Sequence, residues 1–258
     1  MTCDRSVLFS GSPGFLRHDI IEILLKVALN TIEGLTTDKI NNPHFLKTIS
    51  QFSIIGFVET WTNDSDSIFN IPGFHFVHGS NRKKHRKARR NSGGINIFVK
   101  NSLSKGVNKL PNSHNDILWI RLDHSYLKVD KDIFLATVYI SPENSSQKVS
   151  GLGHIIVQGD FNAYTNTKHD FVPFDVFSRS NTHDAHYVYD QNSPRNNLDP
   201  KLVNKSGKLL LSLCKESGLR ILNGRTVGDL LGRHTCITYN GCSTVDYMII
   251  FVYQTIAL

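Results

Sequence analysis

Asn30, Glu59, Tyr139, Asp160 and Asn162 each follow a run of mostly apolar residues, and Asp246 lies inside another, between Val245 and Tyr247. Acids and amides delivered in this way by buried strands are the groups that phosphodiester hydrolysis requires. A divalent cation needs hard oxygen ligands, a water must be oriented and deprotonated, and the charge building on the phosphate must meet fixed donors. The strongest string is Ile155-Ile156-Val157-Gln158-Gly159-Asp160-Phe161-Asn162-Ala163, where apolar β-formers run into a turn bearing a carboxylate and an amide two residues apart. Chemistry sits at such strand ends in open α/β sheets. A plain Asp-Asn turn would close a strand in the same way. Asp246 adds a constraint, because a carboxylate within an apolar run is costly unless a partner satisfies it.

These residues need strands to carry them. Leu24 to Leu29 is predicted as a mostly buried strand ending at Asn30, and Ile54 to Val58 as a second running into Glu59. Between them Pro43 opens a short amphipathic helix with Phe45, Leu46, Ile49 and Phe52 on one face. Phe74 to His78 and Ile95 to Val99 flank the segment Arg82-Lys83-Lys84-His85-Arg86-Lys87-Ala88-Arg89-Arg90, which together predict a hairpin with a solvated basic tip. Leu118, Ile120 and Leu122 alternate inward along a half-exposed strand, whereas Ile133 to Tyr139 is apolar on both faces and belongs between two layers. A helix over Lys208 to Ser217, with Leu209, Leu210, Leu213 and Cys214 on its apolar side and Gly218 as its cap, precedes a short strand at Arg220 to Leu222. Thr235 to Tyr239 and Thr244 to Phe251 are the last predicted strands, joined through Asn240-Gly241. Many strands, few helices and several strands apolar on both faces predict two packed sheets with helices outside.

The chain has 258 residues, 40% of them hydrophobic and 20% charged, enough for one sizeable α/β domain over residues 20–258 behind an irregular leader at 1–19. A formal net charge of +7 favours a polyanionic partner. Cys3, Cys214, Cys236 and Cys242 do not resemble a disulfide framework, and no charged-then-apolar leader opens the chain, so an intracellular monomer without a disulfide-linked partner is expected. Glu22 and Lys26 interrupt the apolar stretch from Ile20 to Leu29, which is far short of the about 20 residues of a bilayer span. His234 with Cys236 and Cys242 lacks a paired zinc half-site, and His183, Asp184 and His186 sit in a polar irregular stretch and are taken as loop residues.

Taken in order, Leu29-Asn30-Thr31-Ile32-Glu33-Gly34-Leu35, Val58-Glu59-Thr60-Trp61, Ser92-Gly93-Gly94-Ile95, Val138-Tyr139-Ile140-Ser141-Pro142, Gly159-Asp160-Phe161-Asn162-Ala163 and Ser243-Thr244-Val245-Asp246-Tyr247 form a pattern. From about residue 24 onward it resembles the endonuclease/exonuclease/phosphatase superfamily, specifically the apurinic-type endonuclease domain of non-LTR retrotransposons. The resemblance implies a four-layer αββα sandwich and a Mg2+-dependent nick in DNA that leaves a 3′-hydroxyl, with Mn2+ as an alternative ion. By family role Glu59 would be the main metal ligand with Asn30 beside it. Asp160 would orient or deprotonate the attacking water, Asn162 and Tyr139 would hold the phosphate, and Thr235 would contact the nucleic-acid backbone.

The match departs from the family in two places. The family closes with a Ser-Asp-His motif whose histidine pairs with the aspartate matched by Asp246, and no residue up to Leu258 fills that place. His154 stands a strand length before Asp160, at the wrong end of the sheet. Pro142 to Gly153 has no helical period where the family places a crossover helix, so an incomplete sandwich, lacking that helix and its last strand, is expected, with an exposed apolar face and reduced stability, and the missing histidine implies impaired activity. Three alternatives stay open: a DNA-nicking endonuclease; a non-catalytic remnant binding nucleic acid through Arg82, Lys83, Lys84, Arg86, Lys87, Arg89 and Arg90; and a phosphodiesterase acting on a phosphoinositide or sphingomyelin. The same basic run reads equally as a nuclear-import signal, which favours the nucleus over the cytoplasm.

Overall fold

A computed structural model describes residues 31, 34–62, 69–81, 93–111, 115–140, 154–173, 190, 192–226, 228–238 and 241–251, together with 27–30; of residues 27–31 only the backbone is described. The expected leader at 1–19, the start of the first predicted strand, the basic run at 82–90, the segment at 142–153 and the histidines at 183 and 186 lie outside the described residues.

β-branched and aromatic residues occupy every position of Ile54–Val58 except Gly56, and the segment forms strand β2 with every residue buried. It pairs in parallel with β1 (Val27–Thr31) and antiparallel with β4 (Ile95–Lys100), which in turn pairs with β3 (Phe74–Ser80). The resulting sheet has the order β1-β2-β4-β3. A six-stranded sheet has the order β5-β6-β7-β8-β12-β9, built from Val107–Lys109, Ile117–Leu122, Ile133–Tyr139, His154–Asp160, Asp246–Phe251 and Leu219–Ile221. A small hairpin of β10 (Cys236–Thr238) and β11 (Gly241–Ser243) stands beside the last strand.

Alternation along the strands explains why the two sheets close face to face. Ile54, Val58, Ile95, Ile97 and Val99 from the first sheet meet Leu118, Ile120, Leu135, Ile156, Met248 and Ile250 from the second in one buried cluster. The opposite face of β2 and β4 offers Ile55, Phe57 and Phe98 to α1 (Thr37–Ile40) and α2 (Pro43–Ile49), where Ile40, Ile49 and Phe52 close over them. Asn42 caps α2 through its side-chain oxygen, and Pro43 occupies the first turn, where a missing N–H costs nothing. On the far side of the second sheet α4 (Lys205–Ser217) lays Leu210, Leu211 and Cys214 against Ala136, Val138 and Ile249. Helices, sheet, sheet, helix: the layers are αββα. The fold class is the one expected.

The boundaries differ in instructive ways. The long helix starts at Lys205, three residues earlier than predicted, because the Asn204 side chain caps it by accepting from Gly207 N–H. Its buried face is Gly207, Leu210, Leu211 and Cys214, at spacings of three and four. Leu209 and Leu213, assigned inward from the sequence, are 47% and 37% exposed. The last strand begins at Asp246 rather than Thr244, since Thr244 N–H is drawn to the Asp199 carboxylate and the chain turns there. Ile117, Trp119 and Val157 are partly buried against the α4 cluster, while the segment at 142–153, on which the expectation of a missing helix and an exposed apolar face rests, lies outside the described residues. A further short helix, α3 (His124–Leu127), connects β6 to β7.

The irregular chain after β8 is held by buried charge. Asp170 is fully buried and receives both Nη atoms of Arg225, at 2.6 and 2.5 Å, together with Ile221 N–H at 2.9 Å. Arg225 also donates to the Ser193 carbonyl, and Arg220 pairs with Asp190. Burial pushes the Asp170 carboxyl up, but the hydrogen bonds and charge of Arg225 and the Ile221 N–H outweigh it, so its value is lowered.

Two outcomes follow for stability. Leu135→Ala, at a fully buried site between the sheets, lowers unfolding free energy by about 2–5 kcal/mol, read as a shifted urea midpoint at unchanged slope. Because the folded-state value of Asp170 lies below its ordinary 3.8, its contribution is present above that pH and is lost as pH falls through the folded value. Acid titration of the fold followed by circular dichroism therefore shows a shallower stability slope in that window for Asp170→Asn than for the parent.

Candidate active site

Register builds one half of the site. In the parallel β7–β8 pair Tyr139 stands opposite Asp160, and in the antiparallel β8–β12 pair Asp160 stands opposite Asp246. The three lie in one row across adjacent strands at one end of the second sheet. Each is in phase with residues of the inter-sheet cluster: Tyr139 with Leu135, Asp160 with Ile156, Asp246 with Met248 and Ile250. All three therefore face the first sheet. Gly159 permits the close pairing of β7 and β8, since a Cβ there would fall 1.9 Å from the Val138 carbonyl oxygen.

The first sheet supplies the other half. Directly after β2 the backbone enters the left-handed region at Glu59, φ 58°, and again at Trp61, φ 56°. The turn is fixed on both sides: Gly34 N–H donates to Glu59 O, Leu35 N–H to Thr60 O, and Trp61 N–H to Gly93 O. The half-buried Glu59 carboxylate receives Trp61 Nε1–H at 2.6 Å and Gly93 N–H at 3.0 Å on Oε2. On Oε1 it receives the Tyr139 hydroxyl. That bond crosses from one sheet to the other and brings Glu59 to the head of the Tyr139–Asp160–Asp246 row.

The remaining residues have distinct places. Asn30 lies in β1 opposite Phe57, one residue before the strand ends beside the Glu59 turn. Asn162 is left-handed at φ 46°; its N–H donates to Asp160 Oδ1 and its Nδ2 to the Ile140 carbonyl, at 2.8 Å each. Thr235 is buried, and its hydroxyl oxygen accepts from Val245 and Asp246 N–H at 3.1 and 3.0 Å, which fixes the turn that presents Asp246. Asp246 is 2% exposed. The basic residues Arg82, Lys83, Lys84, Arg86, Lys87, Arg89 and Arg90 fall outside the described residues, but both borders of their segment are tied to the Glu59 turn. Asn81 Oδ1 accepts from Thr62 Oγ1, and Gly93 N–H reaches Glu59 itself. His154 lies at the far end of β8, paired with Asp130.

Several residues that hold this geometry carried no sequence signal of their own. Trp61 and Tyr247 lie inside motif strings yet act through atoms whose direction only the fold sets. The Tyr247 hydroxyl lies 2.8 Å from the carbonyls of Ala163 and Thr244 and 3.0 Å from Thr165 Oγ1, joining the loop after Asp160 to the turn before Asp246. Burial pushes its phenol well above the ordinary range. Asn223 donates to Asp246 O and accepts from Met248 N–H, closing the edge of β12.

The donor set fits a hard divalent cation. Glu59 is held by neutral donors and forms no ion pair among the described residues, so its charge is not already met. Among the described residues the one set of three acidic or imidazole side chains with ligand atoms within 4.8 Å of one another is Asp123, His124 and Asp132, between β6 and β7 at the end of the sheet away from Tyr139. Its contacts are explained locally: Asp123 caps α3, and Asp132 accepts from the backbone and ring of His124. The carboxyls are correspondingly lowered, Asp123 first by Ser125 and Asp132 first by the His124 N–H.

No helix among the described residues is long and apolar enough to cross a membrane, and Cys214, Cys236 and Cys242 are free thiols. No protein-family model matches the chain, and no curated protein matches it in sequence. Among solved structures, the crystal structure of AP endonuclease LMAP from Leishmania major aligns with 83% of this chain and 73% of its own, with 12% identity and a TM-score of 0.48.

Proposed function

We propose that this chain is a divalent-metal-dependent phosphodiesterase that nicks DNA, related to the endonucleases of non-LTR retrotransposons. The observation that carries the proposal is the row Tyr139–Asp160–Asp246 with Glu59 joined to its head by Tyr139. Glu59, with Asn30 beside it, would hold Mg2+ or Mn2+, which supplies Lewis-acid neutralisation of phosphate charge when bound. Asp160 orients the attacking water and takes its proton. Its own orientation comes from Asn162 N–H. Asn162 and the Tyr139 hydroxyl donate to the phosphate oxygens, and the buried Asp246 adds a second carboxylate one strand away from Asp160. Thr235 holds Asp246 in place and has one O–H left for the nucleic-acid backbone. Asn81 and Gly93, which border the basic run in sequence, are bonded to the Glu59 turn, which supports a role for the run at the flanking phosphates, where neutralising charge drives salt-dependent binding.

Plasmid nicking tests this directly. Supercoiled DNA is converted to the open circle in Mg2+, chelation stops it, and Glu59→Gln or Asp160→Asn slows it by about 10²-fold or more. Salt-sensitive binding with no cleavage in any divalent metal would instead identify a binding remnant. Replacing the basic residues of 82–90 by serine weakens DNA binding and lowers the slope of log K against log salt by about 0.9 per lost phosphate contact.

A further inference from the structure

We propose that Trp61 is a positioning residue that sets how the Glu59 carboxylate meets its cation, an inference that rests on the metal-dependent function above. A carboxylate offers about four lone-pair directions, two on each oxygen. Trp61 Nε1–H and Gly93 N–H occupy both on Oε2, and Tyr139 occupies one on Oε1. One direction on Oε1 is left, so Glu59 meets a cation through a single oxygen.

Trp61 is the side chain able to keep that arrangement through a reaction cycle. The Tyr139 hydroxyl has a second duty at the phosphate, and when it turns there Oε1 loses its fixed donor. Trp61 and Gly93 then hold the carboxylate plane alone. An indole N–H only donates. It cannot compete for the cation, and at 2.6 Å from a charged oxygen it makes the stronger, charge-assisted kind of hydrogen bond.

The ring is itself immobilised. Its backbone is left-handed at φ 56° and bonded to Gly93 O at 2.9 Å. A Cβ on Gly34 would stand 2.7 Å from Trp61 Cε3, and Gly34, at φ 84°, donates in turn to Glu59 O. The indole thus sits where the loop after β1 meets the turn after β2, and it aligns the strand ends of Asn30 and Glu59. Partners of this kind, one bond behind a ligand, change metal affinity by about 10–100-fold when removed.

The test is calorimetric titration of the full chain with Mn2+ alone, with no nucleic acid present. Glu59→Gln marks the site by losing the Mn2+ uptake. Trp61→Phe keeps the aromatic contact with Gly34 and removes the N–H; 3-benzothienylalanine at position 61 keeps the indole shape and puts sulfur in its place. Both lower Mn2+ affinity by about 10-fold, with the sulfur analogue melting within a few degrees of the parent. A folded sulfur analogue that takes Mn2+ with the parent affinity overturns the role of Trp61 and leaves the metal site standing. Absence of any Mn2+ uptake that Glu59→Gln removes overturns the metal-dependent function and this inference with it.

Discussion

Strand register decides whether the acids of this chain meet. β8 is paired on both sides, parallel with β7 and antiparallel with β12, and both ladders end at Asp160. Side chains alternate with a period of two, so a slip of one residue in either pairing would turn a whole set of apolar residues to the wrong face. Ile156, Leu135, Met248 and Ile250 resist that slip because each is buried between the sheets. The same apolar contacts that stabilise the sandwich therefore place Tyr139, Asp160 and Asp246 in line.

The second requirement is closeness between the sheets at the rim where the row ends. Inside the sandwich Gly56 meets Thr137 and Gln158, a contact with no room for a Cβ. Further out, the apolar layer gives way to the Tyr139–Glu59 bond, which spans the gap between the sheets. The loops beyond the strands are then pinned by polar bonds: Tyr247 to Ala163 and Thr244, Asn204 to Asn162 and Tyr164, Arg225 to Asp170. Polar atoms in the interior are thus concentrated where backbone leaves regular structure and needs partners.

Much of this could be read before any coordinates. The apolar runs of β2, β4, β6, β7 and β8 announce themselves, because a strand buried on both faces must be apolar throughout and a half-exposed one must alternate. Glu59, Asp160 and Asn162 stand out because polar side chains interrupt those runs at their ends. What could not be read has physical causes. Which leucines of α4 turn inward depends on how the helix is rotated against the second sheet, and a shift of its buried face by one position brings Leu209 and Leu213 inward in place of Leu211 and Cys214. The start of β12 depends on Asp199, 45 residues upstream of Thr244. The part played by Trp61 depends on two left-handed residues that carry side chains, a conformation that composition does not reveal. The Asp170–Arg225 pair joins two irregular segments with no periodicity at all.

The row of three is assembled from distant parts of the polypeptide. Asp160 and Tyr139 are joined by the crossover between them, but Asp246 arrives 86 positions after Asp160, and β9 takes its place beyond β12 only once that strand is present. During synthesis the first carboxylate therefore leaves the ribosome well before the second exists to stand beside it. A nascent chain ending ahead of β12 contains Tyr139 and Asp160 but not the completed row.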